Sequence, residues 1–294
     1  MRPQHSLSLL ALVTTVTATK IVLTNDDGWA VAQIRAQYTA LKAVGYEVIL
    51  SAPAENESGT GSSATSPFPP TAKLSSACEY NTCASGSPAE GFNASDTFLN
   101  YVNGYPSDSA RYGIQYLAPK LFNSKPDLVA LTGNVIRGAA TEAAILGIPS
   151  IAFSGDNTAQ VSYTTLTSDP SSSASKAAVI YANLTTKFTE ALLAGATGAA
   201  LPPNISINVN YPATTGCTEV ADYKFVLSRI YSNSAATVQT CGATVLPTET
   251  SVVGTKGCYA SVSVFSTPSK LDANATVQAL VDKQLGSLLS CLPK

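Results

Sequence analysis

Four short polar segments carry the residues best suited to metal chemistry. Two adjacent carboxylates, Asp26 and Asp27, follow the apolar run KIVLT, and the loop PAENESGTGSS follows a second run that ends at Pro53. TGN ends at Asn134, and SGDN ends at Asn157. A hard divalent cation such as Mg²⁺ or Mn²⁺ prefers these oxygen donors and offsets the repulsion between adjacent carboxylates. The alternative is a simple turn, with Asp27 capping the next helix.

Strands and helices alternate around these segments. Buried strands are predicted at 20–24, 46–53, 127–133, 149–155 and 204–212, and helices at 31–44, 107–122, about 136–147 and 174–195. This order predicts parallel strands with crossover helices on both faces. We therefore predict an α/β fold with a doubly wound, Rossmann-like, mostly parallel sheet. Ligands bind such a sheet beyond the carboxyl ends of its strands, where all four segments lie.

The last third of the chain has a different pattern. Residues 223–231 and 258–266 alternate as exposed or antiparallel strands do, and residues 273–290 are predicted to be a helix. Composition does not change sharply enough to indicate a second independent domain. We predict a single domain over residues 19–294, with a core over about 19–212. A disulfide-stapled C-terminal β/α extension covers about 213–294.

The first 18 residues have the pattern of a secretory signal peptide. They combine a basic start at Arg2, an apolar stretch from Leu7 to Val13 and a small residue, Ala18, at the expected cleavage position. The apolar stretch is too short for a membrane anchor, and no later segment is long enough to span a bilayer. His5 is the one histidine of the chain. The mature protein therefore cannot use a Ser-His-Asp or Cys-His mechanism or a His-ligated metal.

Cysteines and sequons also predict a secreted, extracellular protein. The six cysteines form an even set, as disulfide frameworks do. Cys78 and Cys83 are expected to pair locally. The other four are expected to form two bridges whose pairing the sequence leaves open: Cys217, Cys241, Cys258 and Cys291. A zinc site is disfavoured because the chain has no C-x-x-C and the mature part no histidine.

Five Asn-x-Ser/Thr sequons are available for glycosylation in the secretory route. We expect glycans at four of them: Asn93, Asn183, Asn204 and Asn274. The fifth, Asn56, begins a sequon that ends at Ser58, a candidate ligand. We expect Asn56 to be unmodified, or the loop to point it outward.

Charge excludes one class of partner. The chain has 17 Lys and Arg against 19 Asp and Glu, and no basic cluster. Because binding to a polyanion needs clustered positive charge, long nucleic acid is not an expected partner.

Six motifs together resemble the SurE survival-protein family of metal-dependent phosphatases and nucleotidases. In order and spacing, they are KIVLTNDDG, SAPAENESG, NGYPSDSARYGI, DLVALTG, GIPSIAFSG and INVNYP. The resemblance runs from Lys20 to about Pro212. The signal peptide, cysteines and serine-rich loop are similar to the secreted fungal branch. The resemblance implies hydrolysis of phosphate monoesters, such as nucleoside 5′- or 3′-monophosphates. It also allows a homodimer.

The resemblance implies a set of site residues. One Mg²⁺ or Mn²⁺ would be bound by Asp26, Asp27, Ser58 and Asn134. Asp26 is expected to be the main ligand, and Asp27 to orient or deprotonate a water that the metal activates. Asn25 and Gly59 are further candidates for binding substrate.

One motif of the family is missing from the sequence. The family carries a Gly- and Asn-rich phosphate loop after the Asn ligand, whereas this chain passes from TGNV almost directly to IRGAATEAAILGIP. Either Arg137 binds the phosphate instead, or the chain has kept the fold and lost catalysis, or the segment is absent through a splicing or gene-prediction error. The alternative for Arg137 is a solvated charge, since helix starts are poor places for cations.

Overall fold

The computed structural model describes residues 18–133, 137–156, 159–233 and 237–293. In it, the apolar run after Thr19 forms an interior strand of the sheet. Alternate side chains of this strand enter two different cores. Ile21 and Leu23 pack on one face of the sheet and Val22 on the other. A strand buried on both faces needs an unbroken apolar run rather than an alternating one, which explains the sequence KIVLT.

The described residues form nine strands: β1 (Lys20–Asn25), β2 (Glu47–Pro53), β3 (Glu90–Asn93), β4 (Asp96–Val102), β5 (Leu128–Thr132), β6 (Ser150–Gly155), β7 (Ile205–Tyr211), β8 (Lys224–Ser228) and β9 (Tyr259–Ser266). The helices in the described ranges are α1 (Ala32–Ala43), α2 (Pro106–Tyr112), α3 (Ala118–Leu121), α4 (Arg137–Ile145), α5 (Thr165–Ser168), α6 (Ser173–Gly195), α7 (Glu249–Val253) and α8 (Ala275–Leu285). Side chains of α1, α6 and α8 share one core, and those of α2 and α4 share the other.

The strands form one sheet in the order β3-β4-β2-β1-β5-β6-β7-β9-β8. β1 pairs in parallel with both β2 and β5, and β5, β6 and β7 continue in parallel. The chain moves outward to β2 on one side of β1 and to β5 on the other, so a topological switch point lies at the end of β1. The predicted fold class, a doubly wound and mostly parallel sheet, is confirmed.

One strand pair was missed from the sequence. β3 and β4 form an antiparallel hairpin, and β4 adds in parallel to β2. The predicted helix over 107–122 is continuous but contains a π-helical stretch at Gly113–Leu117, which joins α2 to α3.

The expectation of exposed or antiparallel strands in the last third holds for β9, which is antiparallel to β7. It is wrong for β8, which is buried and parallel to β9. β8 and β9 are buried over most of their length, including Ser261 and Ser263. These small hydroxyls have partners on neighbouring strands: Asn210 donates to Ser261 at 3.0 Å, and Ser228 shares a 2.7 Å hydrogen bond with Ser263. Serines whose hydroxyls are hydrogen-bonded can be buried, so the alternation of polar and apolar residues here does not indicate a solvent-exposed face.

Three disulfides are formed. Cys78–Cys83 pairs as predicted, and the pairing that the sequence left open is Cys217–Cys258 and Cys241–Cys291. The strands of the described part of the chain belong to one sheet, and the predicted boundary near residue 212 falls between β7 and β8. This division of the chain stays a prediction.

Surface features bear on the remaining expectations. Asn183, Asn204 and Asn274 are exposed, and Asn93 is half-exposed at the β3–β4 turn. Glycosylation at these positions stays a prediction. Within the described ranges, no helix combines the length and the apolar character needed to cross a membrane.

Candidate active site

A closed turn at the end of β1 sets the position of the two aspartates. Asn25 donates from Nδ2 to the carbonyl of Gly28 at 2.8 Å, and the Gly28 amide donates to Oδ1 of Asn25 at 3.2 Å. Gly28 has a φ of +106°, which only glycine adopts without strain. The buried Asn25 side chain therefore holds the turn. Helix α1 begins after Val31 without a side-chain cap, so the alternative in which Asp27 caps that helix is wrong.

Asp26 packs against the backbone at the end of β5. Its side chain is only 3% exposed. Asn25 is in register with Thr132, which places the next residue, Gly133, beside the carboxylate. A Cβ on Gly133 would lie 1.7 Å from Oδ1 of Asp26. Glycine at position 133 is therefore required for the carboxylate to keep this position.

Asp27 is connected to the serine-rich loop. Oδ1 of Asp27 accepts a hydrogen bond from Oγ of Ser58 at 3.2 Å and a second, short one from Nε2 of Gln160. The side chain is 6% exposed, and burial raises the pKa of the carboxyl above its ordinary value, while the hydrogen bonds from Ser58 and Gln160 lower it. Ser58 thus lies beside Asp27, and its role as a metal ligand stays a prediction.

The backbone of the loop is fixed against the same turn. The amide of Glu57 donates to the carbonyl of Asp26 at 2.7 Å, and that of Trp29 donates to the carbonyl of Pro53 at 2.9 Å. These bonds hold the loop after β2 beside the end of β1. Gly59 follows with a φ of +81° and is exposed, next to Ser58.

Gln160 is a site residue that sequence reasoning missed. Its Oε1 accepts from Nδ2 of Asn56 at 2.6 Å, and Oδ1 of Asn56 accepts from the Ser58 amide at 2.8 Å. Gln160 therefore joins the loop to Asp27 from a segment 133 residues further along the chain. No local pattern marks it. Asn56 is exposed, as one of the two expectations for it required.

Glu79 is a second residue that was missed. It lies in the loop closed by Cys78–Cys83, and a Cβ on Gly28 would come 2.3 Å from Oε2 of Glu79. Burial, followed by the nearby charges of Asp27 and Glu55, raises the pKa of Glu79 to about 7. The sequence signal was the local disulfide, but the contact with Gly28 is tertiary.

Two buried, adjacent carboxylates and a hydroxyl form a donor set that suits a hard divalent cation. Leaving two charged carboxylates buried together without a cation is unfavourable. Burial alone already raises the pKa of Asp27. Across the described ranges, no group of three His, Cys, Asp or Glu residues is arranged to hold a metal. A metal here would therefore need hydroxyl or amide oxygens beside Asp26 and Asp27.

Two predicted site residues cannot be placed with the others. Asn134, the predicted fourth ligand, lies outside the described residues. Arg137 begins α4, and its side chain also lies outside the described part of the chain.

The sequence of this chain matches one protein-family model and resembles individual known proteins. The family model described as "Survival protein SurE" matches residues 21–237. A protein named acid phosphatase from Yarrowia lipolytica is 32% identical over an alignment of 308 residues, which covers 87% of this chain and 83% of that protein. A 5′-nucleotidase SurE from Oleidesulfovibrio alaskensis is 32% identical over 149 residues, which is 47% of this chain and 49% of that protein.

The fold also has a solved counterpart. The crystal structure of a SurE protein from Aquifex aeolicus matches with a TM-score of 0.52 and 23% identity, over 84% of this chain and 93% of that one. At this identity the likeness concerns the fold. The family match over 21–237 contains Asp26, Asp27, Ser58 and Asn134.

Proposed function

The chain belongs to the SurE family, and from this premise we propose that it is a divalent-metal-dependent phosphomonoesterase of the acid phosphatase or nucleotidase type. The observation that carries the proposal is the buried pair Asp26 and Asp27 at the sheet's switch point, with the Ser58 hydroxyl 3.2 Å from Asp27. The names of the acid phosphatase and nucleotidase relatives support the reaction class. The substrates proposed are small phosphate monoesters such as nucleoside monophosphates.

Each residue has a distinct part in the proposed reaction. Asp26, Asp27, Ser58 and Asn134 would hold one Mg²⁺ or Mn²⁺, which when bound polarises a phosphoryl oxygen and lowers the pKa of a water. Asp26 is held in place by the close approach of Gly133. Asp27, oriented through Oδ1 by Ser58 and Gln160, accepts a proton from the attacking water.

The attack forms a new P–O bond from water, and the P–O bond to the leaving alcohol breaks. The alcohol oxygen then takes up the proton that Asp27 accepted from the water, which returns Asp27 to its starting state. A histidine is not required in this scheme, because a carboxylate accepts the proton and the metal lowers the pKa of the water.

A second candidate is a SurE-like extracellular binding protein without catalysis. The observation that favours it is the short connection after β5: only residues 133–136 lie between Thr132 and the start of α4 at Arg137. A Cβ on Gly138 would lie 2.2 Å from the carbonyl of Gly61, so the serine-rich loop packs against the first turn of α4. Little backbone is left there for the glycine-rich phosphate loop that provides N–H donors.

We also propose that the protein is secreted. The three disulfides support this, with Cα–Cα distances of 5.0 to 5.7 Å that suit the bond. Detection of the mature N-terminus at Thr19 in culture medium tests the cleavage. Retention of the uncleaved chain in cells would contradict it.

One assay separates the two candidate functions. Purified protein is incubated with a nucleoside monophosphate and with an aryl phosphate, without metal and with Mn²⁺ or Mg²⁺, beside an Asp26→Asn variant. Phosphate release by the wild type with metal, and not by the variant, supports the enzyme. A metal-dependent rise in Tm with no phosphate release under any condition supports the binding protein.

A further inference from the structure

A small, partly open cavity adjoins the candidate active site. Its volume is about 30 Å³, and its lining includes Asp27, Gln33 and Gln37 from the β1–α1 side and Tyr181, Thr185 and Tyr211 from α6 and β7. A site for one ordered water needs roughly 10–15 Å³ by this kind of measure. The cavity therefore has room for about two waters.

Gln37 directs an amide into this space. Its side chain is 1% exposed, and neither Nε2 nor Oε1 has a hydrogen-bond partner among the described residues. Gln33, one helical turn earlier, donates to the carbonyl of Ala159 at 3.0 Å, but its Oε1 is buried without a described partner. Residues four apart share one face of a helix, so both amides reach the same cavity.

Burying the amides of Gln37 and Gln33 without hydrogen-bond partners would destabilise the folded protein. A primary amide can donate twice and accept twice, and nearly all buried polar groups in native proteins are hydrogen-bonded to protein or ordered water. A polar cavity with room for water and several polar groups on its wall is where ordered water is expected. The buried amide and the cavity thus indicate the same occupant.

Asp27 would gain from such a water. The two hydrogen bonds that it accepts from described side chains both end on Oδ1, at Ser58 and Gln160. Contacts at one oxygen alone restrain the carboxylate less than contacts at both oxygens. A water bridged to Gln37 would restrain it from the cavity side.

We propose that this cavity holds ordered water that links the amide of Gln37 to the carboxylate of Asp27, which makes Gln37 a positioning residue for Asp27. The proposal rests on the proposed function only for the role of Asp27 in catalysis. Groups behind a metal ligand commonly change metal affinity or activity by about 10- to 100-fold when they are removed.

The test compares Gln37→Met with Gln37→Asn. Methionine has nearly the shape of glutamine but cannot bond water, whereas asparagine keeps an amide and leaves room for one more water. We expect Gln37→Met to lower Tm, to weaken Mn²⁺ binding and to lower kcat about 10-fold or more, with little change in KM for an aryl phosphate. Gln37→Asn is expected to recover part of kcat and of Mn²⁺ affinity.

Thr189→Val is the matched control. Thr189 is fully buried on α6, its hydroxyl has no described partner, and it does not line the cavity. Its replacement should leave Mn²⁺ affinity and kcat unchanged. Gln37→Met with a raised Tm and unchanged kcat would show a dry cavity and overturn the proposal.

A high-resolution crystal structure of the wild type decides the occupancy even if a variant does not fold. Water density within hydrogen-bond distance of both Gln37 and Asp27 is the expected result, and an empty cavity overturns the proposal. If the wild type released no phosphate with any metal, the proposed function would fail, and the positioning of Asp27 would then be judged from Mn²⁺ affinity alone.

Discussion

Replacing Gly133 with alanine tests whether the position of Asp26 controls activity. The new Cβ would lie 1.7 Å from Oδ1 of Asp26 and 2.9 Å from its Cγ, whereas real Cβ contacts essentially never fall under 3.0 Å. The carboxylate oxygen must therefore retreat by about 1.3 Å, the difference between those limits. A displacement of about 1 Å in an active site can cost roughly 100-fold in rate.

The same substitution also strains the backbone. Gly133 has a φ of +121°, and a non-glycine residue held in such a region costs on the order of 1–3 kcal/mol. Gly133→Ala is thus expected to lower both stability and activity. The two effects are separated by Gly147→Ala, since Gly147 has a φ of +76° and an added Cβ there would meet nothing within 4 Å.

The assay measures kcat/KM for an aryl phosphate with Mn²⁺, together with Tm and the Kd for Mn²⁺. We expect Gly133→Ala to lose about 100-fold in kcat/KM and to bind Mn²⁺ more weakly. Gly147→Ala should lose stability alone. Equal kcat/KM for the two variants would refute the reasoning, because it would show that displacing the Asp26 carboxylate has no consequence.

Three further predictions concern charge and the C-terminal bridge. Burial raises the pKa of the Asp27 carboxyl, so the stability that this group contributes at low pH is lost as pH rises through its folded-state pKa. Asp27→Asn should therefore raise the Tm of the metal-free protein at neutral pH and abolish phosphate release. The pKa of Glu79 is raised from 4.5 to about 7. The Tm of metal-free Glu79→Gln should therefore exceed that of the wild type by an amount that grows as pH rises from 4.5 to 7. A Tm difference that does not depend on pH would contradict the raised pKa. Replacing both Cys241 and Cys291 with serine should lower the free energy of unfolding by up to about 4 kcal/mol, because the bridge joins residues 50 apart in sequence. It should leave kcat unchanged, because no candidate site residue lies beside either cysteine. Chemical denaturation measures the first effect and the phosphatase assay the second.

The interior strands could be predicted because burial on both faces leaves a strong local signal. KIVLT and DLVALT are apolar without interruption, and the rule that sites follow strand ends then selects Asp26, Asp27 and Ser58. The hairpin of Glu90–Asn93 and Asp96–Val102 was missed because β3 is short and mostly half-exposed, within a polar stretch.

The residues that complete the site could not be predicted because their roles are tertiary. Gln160 reaches Asp27 across 133 residues, and Glu79 lies against Gly28 through a disulfide-closed loop. Gln37 is polar on an amphipathic helix, where the usual expectation is exposure to solvent, yet it is buried. Such contacts depend on how elements pack, which no short sequence window contains.

The most direct test of the metal-dependent mechanism is to titrate Mn²⁺ into metal-free protein while measuring bound ion by electron paramagnetic resonance and phosphate release in the same samples. We predict one Mn²⁺ per chain, with activity rising in proportion to occupancy, and loss of both in Asp26→Asn. Phosphate release without bound metal, or one bound Mn²⁺ that Asp26→Asn retains with full activity, would contradict it.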